Sequence, residues 1–144
     1  MAGLHFRPMQ EADLPWVAAR DAELYPFPWS QGNFADSMAA GYACWVMLDG
    51  AEPVGYGVLM MVIDEAHILN ISVVASRQRG GLGRRLLGHF ADVARTNGAR
   101  RLLLQMCGWL AARHSGISAF TLKWAHDVMR SKEAGEGGEI TIRT

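Results

Sequence analysis

The stretch that decides the fold is Asn70-Ile71-Ser72-Val73-Val74, followed shortly by Arg77-Gln78-Arg79-Gly80-Gly81-Leu82-Gly83-Arg84-Arg85. An apolar run ends here, a glycine-rich turn follows, and apolar residues then recur at helical spacing from Leu82 to Ala94. The pattern predicts a strand, a tight turn and a helix that ends at Asn97-Gly98. Because glycine has no Cβ, the backbone of this turn can come close to a ligand.

The turn and the helix start together predict an anion site. Backbone N–H groups of residues 81–85 would lack helical acceptors, and the helix dipole favours negative charge there. Arg79, Arg84 and Arg85 add positive charge. A pyrophosphate is the ligand that this arrangement favours, and a purely structural strand-to-helix turn is the alternative.

Two other phosphate motifs fail on context. A P-loop needs Lys-Ser or Lys-Thr after its last glycine, whereas Arg84-Arg85 follows Gly83. A dinucleotide-binding fold places its glycines after the first strand and an acidic residue about 20 residues later. Here the glycines follow the fourth predicted strand, and no second βαβ half remains.

Outward from this stretch, helices alternate with strands. The predicted elements are strand Leu4–Arg7, a helix from Asp13-Leu14-Pro15-Trp16 to about Leu24, a helix capped by Ser30, strands Ala43–Leu48, Val54–Ile63, Ala66–Val74 and Arg101–Met106, a helix around Ile117–Val128, and a short strand at Ile140–Ile142. Helices interleaved with a mixed sheet predict an α/β or α+β sandwich. A chain of 144 residues suits one domain.

Composition excludes several classes of protein. Half of the residues are apolar and 14 basic side chains balance 14 acidic ones, unlike a disordered chain. The longest apolar run, residues 54–63, is too short for a membrane span, and the N-terminus has no apolar signal core. We therefore expect a cytoplasmic protein without membrane contact. Neither the two cysteines nor the five histidines have metal-ligand spacing, so we expect no metal.

The zero net charge conceals a division along the chain. Residues 1–66 carry nine acids and two bases, whereas residues 77–113 carry eight bases and one acid. One interpretation is a chance distribution of solvated charges. The other is a basic face for an anion and an acidic face for a cationic partner. Nucleic-acid binding is not favoured, since the basic segment has few interleaved aromatic residues.

The stretch Gln78-Arg79-Gly80-Gly81-Leu82-Gly83 resembles the acetyl-CoA motif of the GCN5-related N-acetyltransferase (GNAT) superfamily. Three further matches are Phe27-Pro28-Trp29-Ser30, Asp64-Glu65-Ala66 and Asn70-Ile71-Ser72-Val73. Together they resemble the bacterial ribosomal-protein-alanine N-acetyltransferases, which acetylate the N-terminal alanine of a ribosomal protein. The resemblance covers about residues 4–104 of a single domain, 1–144.

The resemblance implies a GNAT fold, acetyl-CoA as co-substrate and the N-terminal peptide of a ribosomal protein as acceptor. It implies that the backbone of Ile71, Ser72 and Val73 binds the pantetheine arm and the thioester. It also implies that residues 79–84 bind the pyrophosphate, so that the cofactor-binding residues of the turn are Gln78, Arg79, Gly80, Gly81, Leu82, Gly83 and Arg84. Phe27 and Trp29 would close the peptide groove, although simple loop packing also explains them. Asp64 and Glu65 suit a cationic α-amine.

The resemblance weakens where catalysis should begin. The family's general base is a glutamate on the fifth strand, and the aligned residue here is Gln105, which cannot take a proton. Glu65 could act through a water molecule. The family's tyrosine, which protonates the leaving thiolate, has no counterpart, since no tyrosine follows Tyr56.

Residues 105–144 therefore reflect either divergence or a shift of reading frame. Reading codons 105–108 from the third base of codon 105 allows Asp-Val-Arg, which is close to the family pattern. Three functions remain open: an N-terminal acetyltransferase, a coenzyme A-binding or partner-binding protein with impaired turnover, and an acetyltransferase of small amines. Gln105 favours the second, whereas Phe27–Ser30 and Asp64-Glu65 favour the first over the third. The oligomeric state is left open.

Overall fold

The computed structural model describes residues 3–105 and 139–143. Its strands are β1 (Leu4–Pro8), β2 (Ala43–Asp49), β3 (Glu52–Val62), β4 (Glu65–Val73), β5 (Arg101–Gln105) and β6 (Glu139–Arg143). Its helices are α1 (Leu14–Leu24), α2 (Gln31–Ala39) and α3 (Leu82–Thr96), with 3-10 turns at Glu11–Asp13 and Ala75–Arg77. The helix predicted around Ile117–Val128 lies outside the described residues.

The six strands form one mixed sheet in sequence order, β1-β2-β3-β4-β5-β6. β1 to β4 pair antiparallel, whereas β4, β5 and β6 pair parallel. Helices precede β2 and β5, as the interleaved pattern predicts, so the expected GNAT-type sheet with flanking helices is confirmed.

Each face of the sheet carries its own apolar cluster. On one face α3 contributes Leu82, Leu86, Leu87 and Phe90, which pack with Ile71 and Val73 of β4. On the other face Leu14 and Val17 of α1 and Phe34 of α2 pack with Tyr56 and Val58 of β3. Leu69 of β4 packs against this second cluster, so β4 is covered on both faces, which explains its nearly continuous apolar sequence.

The approach of α3 to the sheet depends on a glycine of β3. A Cβ added to Gly57 would lie 2.6 Å from Cε2 of Phe90 and 2.7 Å from the carbonyl oxygen of Asn70. Phe90 is completely buried, so its ring has little room to shift. The absent side chain at Gly57 therefore sets how closely α3 packs on the strands that carry the site.

Asp13, where the predicted first helix begins, does not cap that helix, whereas two other local predictions are confirmed. Asp13 directly precedes α1, but its carboxylate accepts from the backbone N–H of Gln10 at 2.7 Å and pairs with Arg7 instead of capping α1. At the C-terminus, the short strand predicted at Ile140–Ile142 is present as β6, parallel to β5, with Gln105 opposite Arg143. Ser30 caps α2 as predicted, because its hydroxyl accepts from the backbone N–H of Asn33.

Candidate functional site

β4 and β5 diverge after Ile68, and we call the gap between them the fork. Among the described residues, the edge of β4 that faces this gap has no strand beside it, and we call it the open edge. The two parallel strands pair from Glu65 opposite Arg101 to Ile68 opposite Leu104, and no later pair forms within the described residues. β4 nevertheless continues to Val73, held on its other edge by β3. A bulge at Leu69, where Val58 pairs with Asn70 and Leu59 with Ile68, bends β4 at the point where the strands part.

The carbonyl directions of β4 identify the backbone groups that face this open edge. The carbonyl oxygens of Asn70 and Ser72 face β3, since each would lie within 3.0 Å of a Cβ added to a β3 glycine. Hydrogen-bonding directions alternate along a strand, so the N–H and C=O groups of Ile71 and Val73 face the opposite side. The side-chain Nε2 of Gln78 donates to the carbonyl oxygen of Val73 at 3.0 Å and thereby links the glycine-rich turn to this edge.

The glycine-rich turn delivers the start of α3 to the same end of β4. Gly81 precedes the helix with φ of 84°, a conformation that glycine adopts without strain, and no side chain caps the helix. Arg79 also has a positive φ, 66°. The N–H of Arg85 donates to the carbonyl oxygen of Gly81 at 3.3 Å. Residue 85 is therefore not one of the backbone donors to an anion, which the sequence had predicted over residues 81–85.

Arginines surround these donors. Arg79 and Arg85 are exposed and Arg84 is half-buried. Arg77 has a separate role, since its guanidinium lies 2.7 Å from Oδ2 of Asp49 and 3.5 Å from Oε2 of Glu52 and so fastens the turn to the β2–β3 hairpin. Backbone donors, a helix dipole and cationic side chains thus converge beside the carboxyl end of β4, an arrangement that can bind a phosphorylated ligand.

The two aromatic residues assigned to the acceptor groove differ in exposure. Phe27 is 92% exposed, whereas Trp29 is half-buried with its ring 5.2 Å from that of Phe34. The backbone N–H of Trp29 donates to Oδ2 of Asp21 at 2.8 Å. The loop between α1 and α2 is therefore anchored at Trp29 and presents Phe27 to solvent.

Asp64 and Glu65 lie at the other end of β4. Ser72 lies seven positions after Glu65 along the strand, a distance on the order of 20 Å. The carboxylate of Glu65 lies 3.2 Å from Nε2 of His67 and 3.7 Å from the guanidinium of Arg101. The structure therefore does not bring these acids to the glycine-rich turn, and Glu65 is already within reach of two basic side chains.

Gln105 follows directly after the last pair between β4 and β5, so its backbone lies at the mouth of the fork. The segment in which the family's tyrosine would be found, residues 106–138, lies outside the described residues, so the predictions made for it stay predictions.

A buried polar network behind β4 was not predicted from the sequence. Asp21 is 1% exposed and accepts from Oη of Tyr56 at 2.7 Å and from Nδ2 of Asn70 at 3.0 Å. Burial raises the pKa of Tyr56, and the charge of Asp21 adds to the rise, so this phenol remains a donor. The available signal was a charged residue among Leu14, Val17 and Leu24 on the apolar face of α1.

No group of three or more potential metal ligands occurs among the described residues. Within the same residues, no helix is both long and apolar enough to cross a membrane.

Comparison with known proteins agrees with this geometry. Residues 8–124 match the acetyltransferase (GNAT) family. The ribosomal protein bS18-alanine N-acetyltransferase of Escherichia coli K12 is 31% identical over 114 residues, which cover 79% of this chain and 73% of that protein. The crystal structure of the E. coli ribosomal-protein-S18-alanine N-acetyltransferase superposes with a TM-score of 0.69 at 29% identity, covering 76% of this chain and 71% of that one.

A third similar protein is the N-acetylglutamate synthase of Neisseria gonorrhoeae, solved with coenzyme A and N-acetyl-glutamate. It superposes with a TM-score of 0.60 at 26% identity, and the match covers 69% of this chain and 24% of the synthase. Both the sequence match and the fold lead to one assignment: this chain belongs to the GNAT family of acetyltransferases.

Proposed function

We propose that this protein transfers the acetyl group of acetyl-CoA to the N-terminal α-amine of a protein, with a ribosomal protein that begins with alanine as its acceptor. The observation that carries the proposal is the open edge of β4 beside the uncapped start of α3. The names of the E. coli relatives support the choice of acceptor. Residues 1–144 would form a single N-acetyltransferase domain that acts in the cytoplasm, where a ribosomal acceptor is made.

The residues present fit coenzyme A. The N–H groups of Leu82 and Gly83, in a helix start that no side chain caps, suit a pyrophosphate, as do the positive charges of Arg79 and Arg84. The outward N–H and C=O groups of Ile71 and Val73 suit the amides of a pantetheine arm laid along β4. Gln78, Gly80 and Gly81 shape the turn between them, and the side chain of Ser72 faces the interior, where it is completely buried.

The chemistry needs little from the protein beyond placement. Bound acetyl-CoA supplies the activated acetyl group. An outward backbone N–H of β4 near Val73 would stabilise negative charge that develops on the acyl oxygen. Gln105 would orient a water molecule beside the amine but cannot remove its proton. Glu65 lies about 20 Å along β4 from Ser72, beside His67 and Arg101, so it would not act as the general base at the acetyl group. Together with Asp64 it would bind a basic part of the cationic acceptor.

The acceptor loop supports a peptide acceptor over a small amine. Phe27 is nearly fully exposed, and burying an aromatic side chain against a ligand is favourable. A second candidate function, a coenzyme A-binding protein with impaired turnover, is favoured by one observation, Gln105 in place of the family's glutamate.

The experiment is thiol release from acetyl-CoA with three acceptors: an alanine-starting basic peptide, the same peptide with a blocked α-amine, and a small polyamine. We expect release with the first acceptor alone. Phe27→Ala should raise the KM of the peptide, whereas Ile63→Ala, a change at a side chain that is 94% exposed on the β3–β4 turn, should not. Release that is as fast with the polyamine would contradict the proposed acceptor, and coenzyme A binding without any release would support the binding protein.

A further inference from the structure

Asp21 joins the two halves of the proposed site. It lies on the buried face of α1 and is 1% exposed. Its two carboxylate oxygens accept three hydrogen bonds, from Trp29, Tyr56 and Asn70. A carboxylate so far from solvent is stabilised only by donors of this kind, so its geometry is fixed by the segments that supply them.

One carboxylate oxygen of Asp21 binds the loop that carries Phe27, on the acceptor side of the proposed site. Oδ2 of Asp21 accepts from the backbone N–H of Trp29 at 2.8 Å. Trp29 lies two residues after Phe27 in the loop between α1 and α2, and Ser30 then begins the cap of α2. This charge-assisted bond therefore ties the backbone of the loop to α1, in addition to the packing of the Trp29 ring on Phe34.

The other carboxylate oxygen of Asp21 binds β4, on the cofactor side of the proposed site. Oδ1 accepts from Nδ2 of Asn70 at 3.0 Å, and Asn70 directly follows the bulge of β4. Oδ1 of Asn70 accepts from the hydroxyl of Ser72 at 2.8 Å, so Ser72 in turn can accept the hydroxyl proton of Tyr25, 2.7 Å away. Oη of Tyr25 is also 3.4 Å from the carbonyl oxygen of Ile71, on the open edge itself.

We infer that Asp21 is a positioning residue that holds the acceptor loop at a fixed distance from the open edge of β4. The inference rests on the proposed function, because it concerns where the acceptor meets the acetyl group. Asp21 itself does not contact either substrate. Its effect is transmitted through Trp29 on one side and through Asn70 and Ser72 on the other.

Asp21→Asn tests the inference. An asparagine can keep its oxygen toward Tyr56 and Asn70, but its NH₂ group then faces the N–H of Trp29, and the bond to the loop is lost. A lost charge-assisted bond corresponds to a change of about 10-fold to 100-fold. We therefore expect the KM of an alanine-starting peptide to rise by about 10-fold or more, while calorimetric affinity for coenzyme A stays close to wild type.

Two further measurements separate positioning from general damage. Amide hydrogen exchange at Trp29 should be faster in Asp21→Asn. Asp13→Asn is the matched control, because Asp13, like Asp21, accepts a hydrogen bond from a backbone N–H. Its other partner is Arg7, and it contacts neither the loop at Trp29 nor β4. It should leave the peptide KM unchanged. If Asp21→Asn does not fold, Asn70→Ala removes the hydrogen bond between Asp21 and β4 instead. This variant should also raise the peptide KM, while hydrogen exchange at the Trp29 amide stays slow.

Equal losses of peptide and coenzyme A affinity in a folded Asp21→Asn protein would overturn the inference, as would an unchanged peptide KM in Asp21→Asn or in folded Asn70→Ala. A wild-type protein that transfers no acetyl group to any peptide would contradict the proposed function as well. A wild-type protein that turns over, with variants that match it, would contradict the inference alone.

Discussion

Ile68 of β4 and Leu104 of β5 form the last pair that these parallel strands make in the described part of the chain. Beyond this pair β4 extends to Val73 with one edge paired to β3. The start of α3 lies beside the far end of that open edge, and Gln105 lies at its near end. The proposed pyrophosphate site and the family's base position thus lie at opposite ends of one short stretch of strand.

The first prediction concerns the turn. Gly83 is buried in the first turn of α3, and a larger side chain there would displace the backbone donors from the proposed pyrophosphate position. Gly83→Val should abolish coenzyme A binding in calorimetric titration while a cooperative thermal transition persists. Gly88→Val, the same change on the same helix beyond the turn, should bind normally. Unchanged affinity in folded Gly83→Val would place the pyrophosphate elsewhere.

A stability prediction concerns Gly57. Its added Cβ would lie 2.7 Å from a backbone oxygen that cannot move aside, so Gly57→Ala should lower the free energy of unfolding by about 1–3 kcal/mol. Gly32→Ala in α2 is the control, since the nearest atom to its added Cβ is 3.6 Å away. There we expect stabilisation of about 0.5–1 kcal/mol. Urea denaturation measures both, and equal effects would refute the packing argument.

The pH dependence of stability should reflect His89. Burial lowers the pKa of this histidine, against a smaller opposing effect of Asp92, as the ring stacks 4.2 Å from that of Phe6. The fold therefore favours the neutral ring. The contribution of His89 to the free energy of unfolding is complete above the pKa of about 6.5 that this histidine has in the unfolded chain. It is lost as the pH falls below that value toward the lower pKa of His89 in the folded protein.

His89→Phe keeps the stack without a titrating group. Between about pH 7 and pH 5, we expect the free energy of unfolding to fall more in wild type than in His89→Phe. Denaturant titrations at the two pH values measure the difference. A fall of the same size in both proteins would show that His89 does not contribute.

Turnover should be slow at neutral pH and should increase with pH. Loss of a general base costs about 10² to 10⁴ in rate, and Gln105 occupies the base position implied by the family resemblance. An α-amine with a pKa of about 8 becomes neutral without help as the pH rises, so the rate should increase to at least about pH 9. Gln105→Glu should recover little, and a chain with the reading frame restored after Leu104 should recover far more. Brisk, pH-independent turnover would mean that another residue is the base.

The sequence was sufficient for features that depend on local pattern. A nearly continuous apolar run, the glycine-rich turn and apolar residues at helical spacing predicted β4, the turn and α3 within one or two residues. Contacts between distant segments were not predictable in this way. Glu65 meets Arg101 because β4 and β5 pair in parallel, and Asp21 meets Asn70 because α1 packs across the sheet. The bulge at Leu69 arises from the register of two strands and has no local pattern of its own.

The most direct test of the central claim is the backbone amide NMR spectrum of the protein during titration with coenzyme A. The account predicts that the largest shifts occur at the amides of Ile71 and Val73 on β4 and of residues 81–84 at the start of α3. Shifts at Trp29 and Phe27 should be small until an acceptor peptide is added. Saturable binding whose shifts lie elsewhere, with β4 and the start of α3 unchanged, would contradict the account.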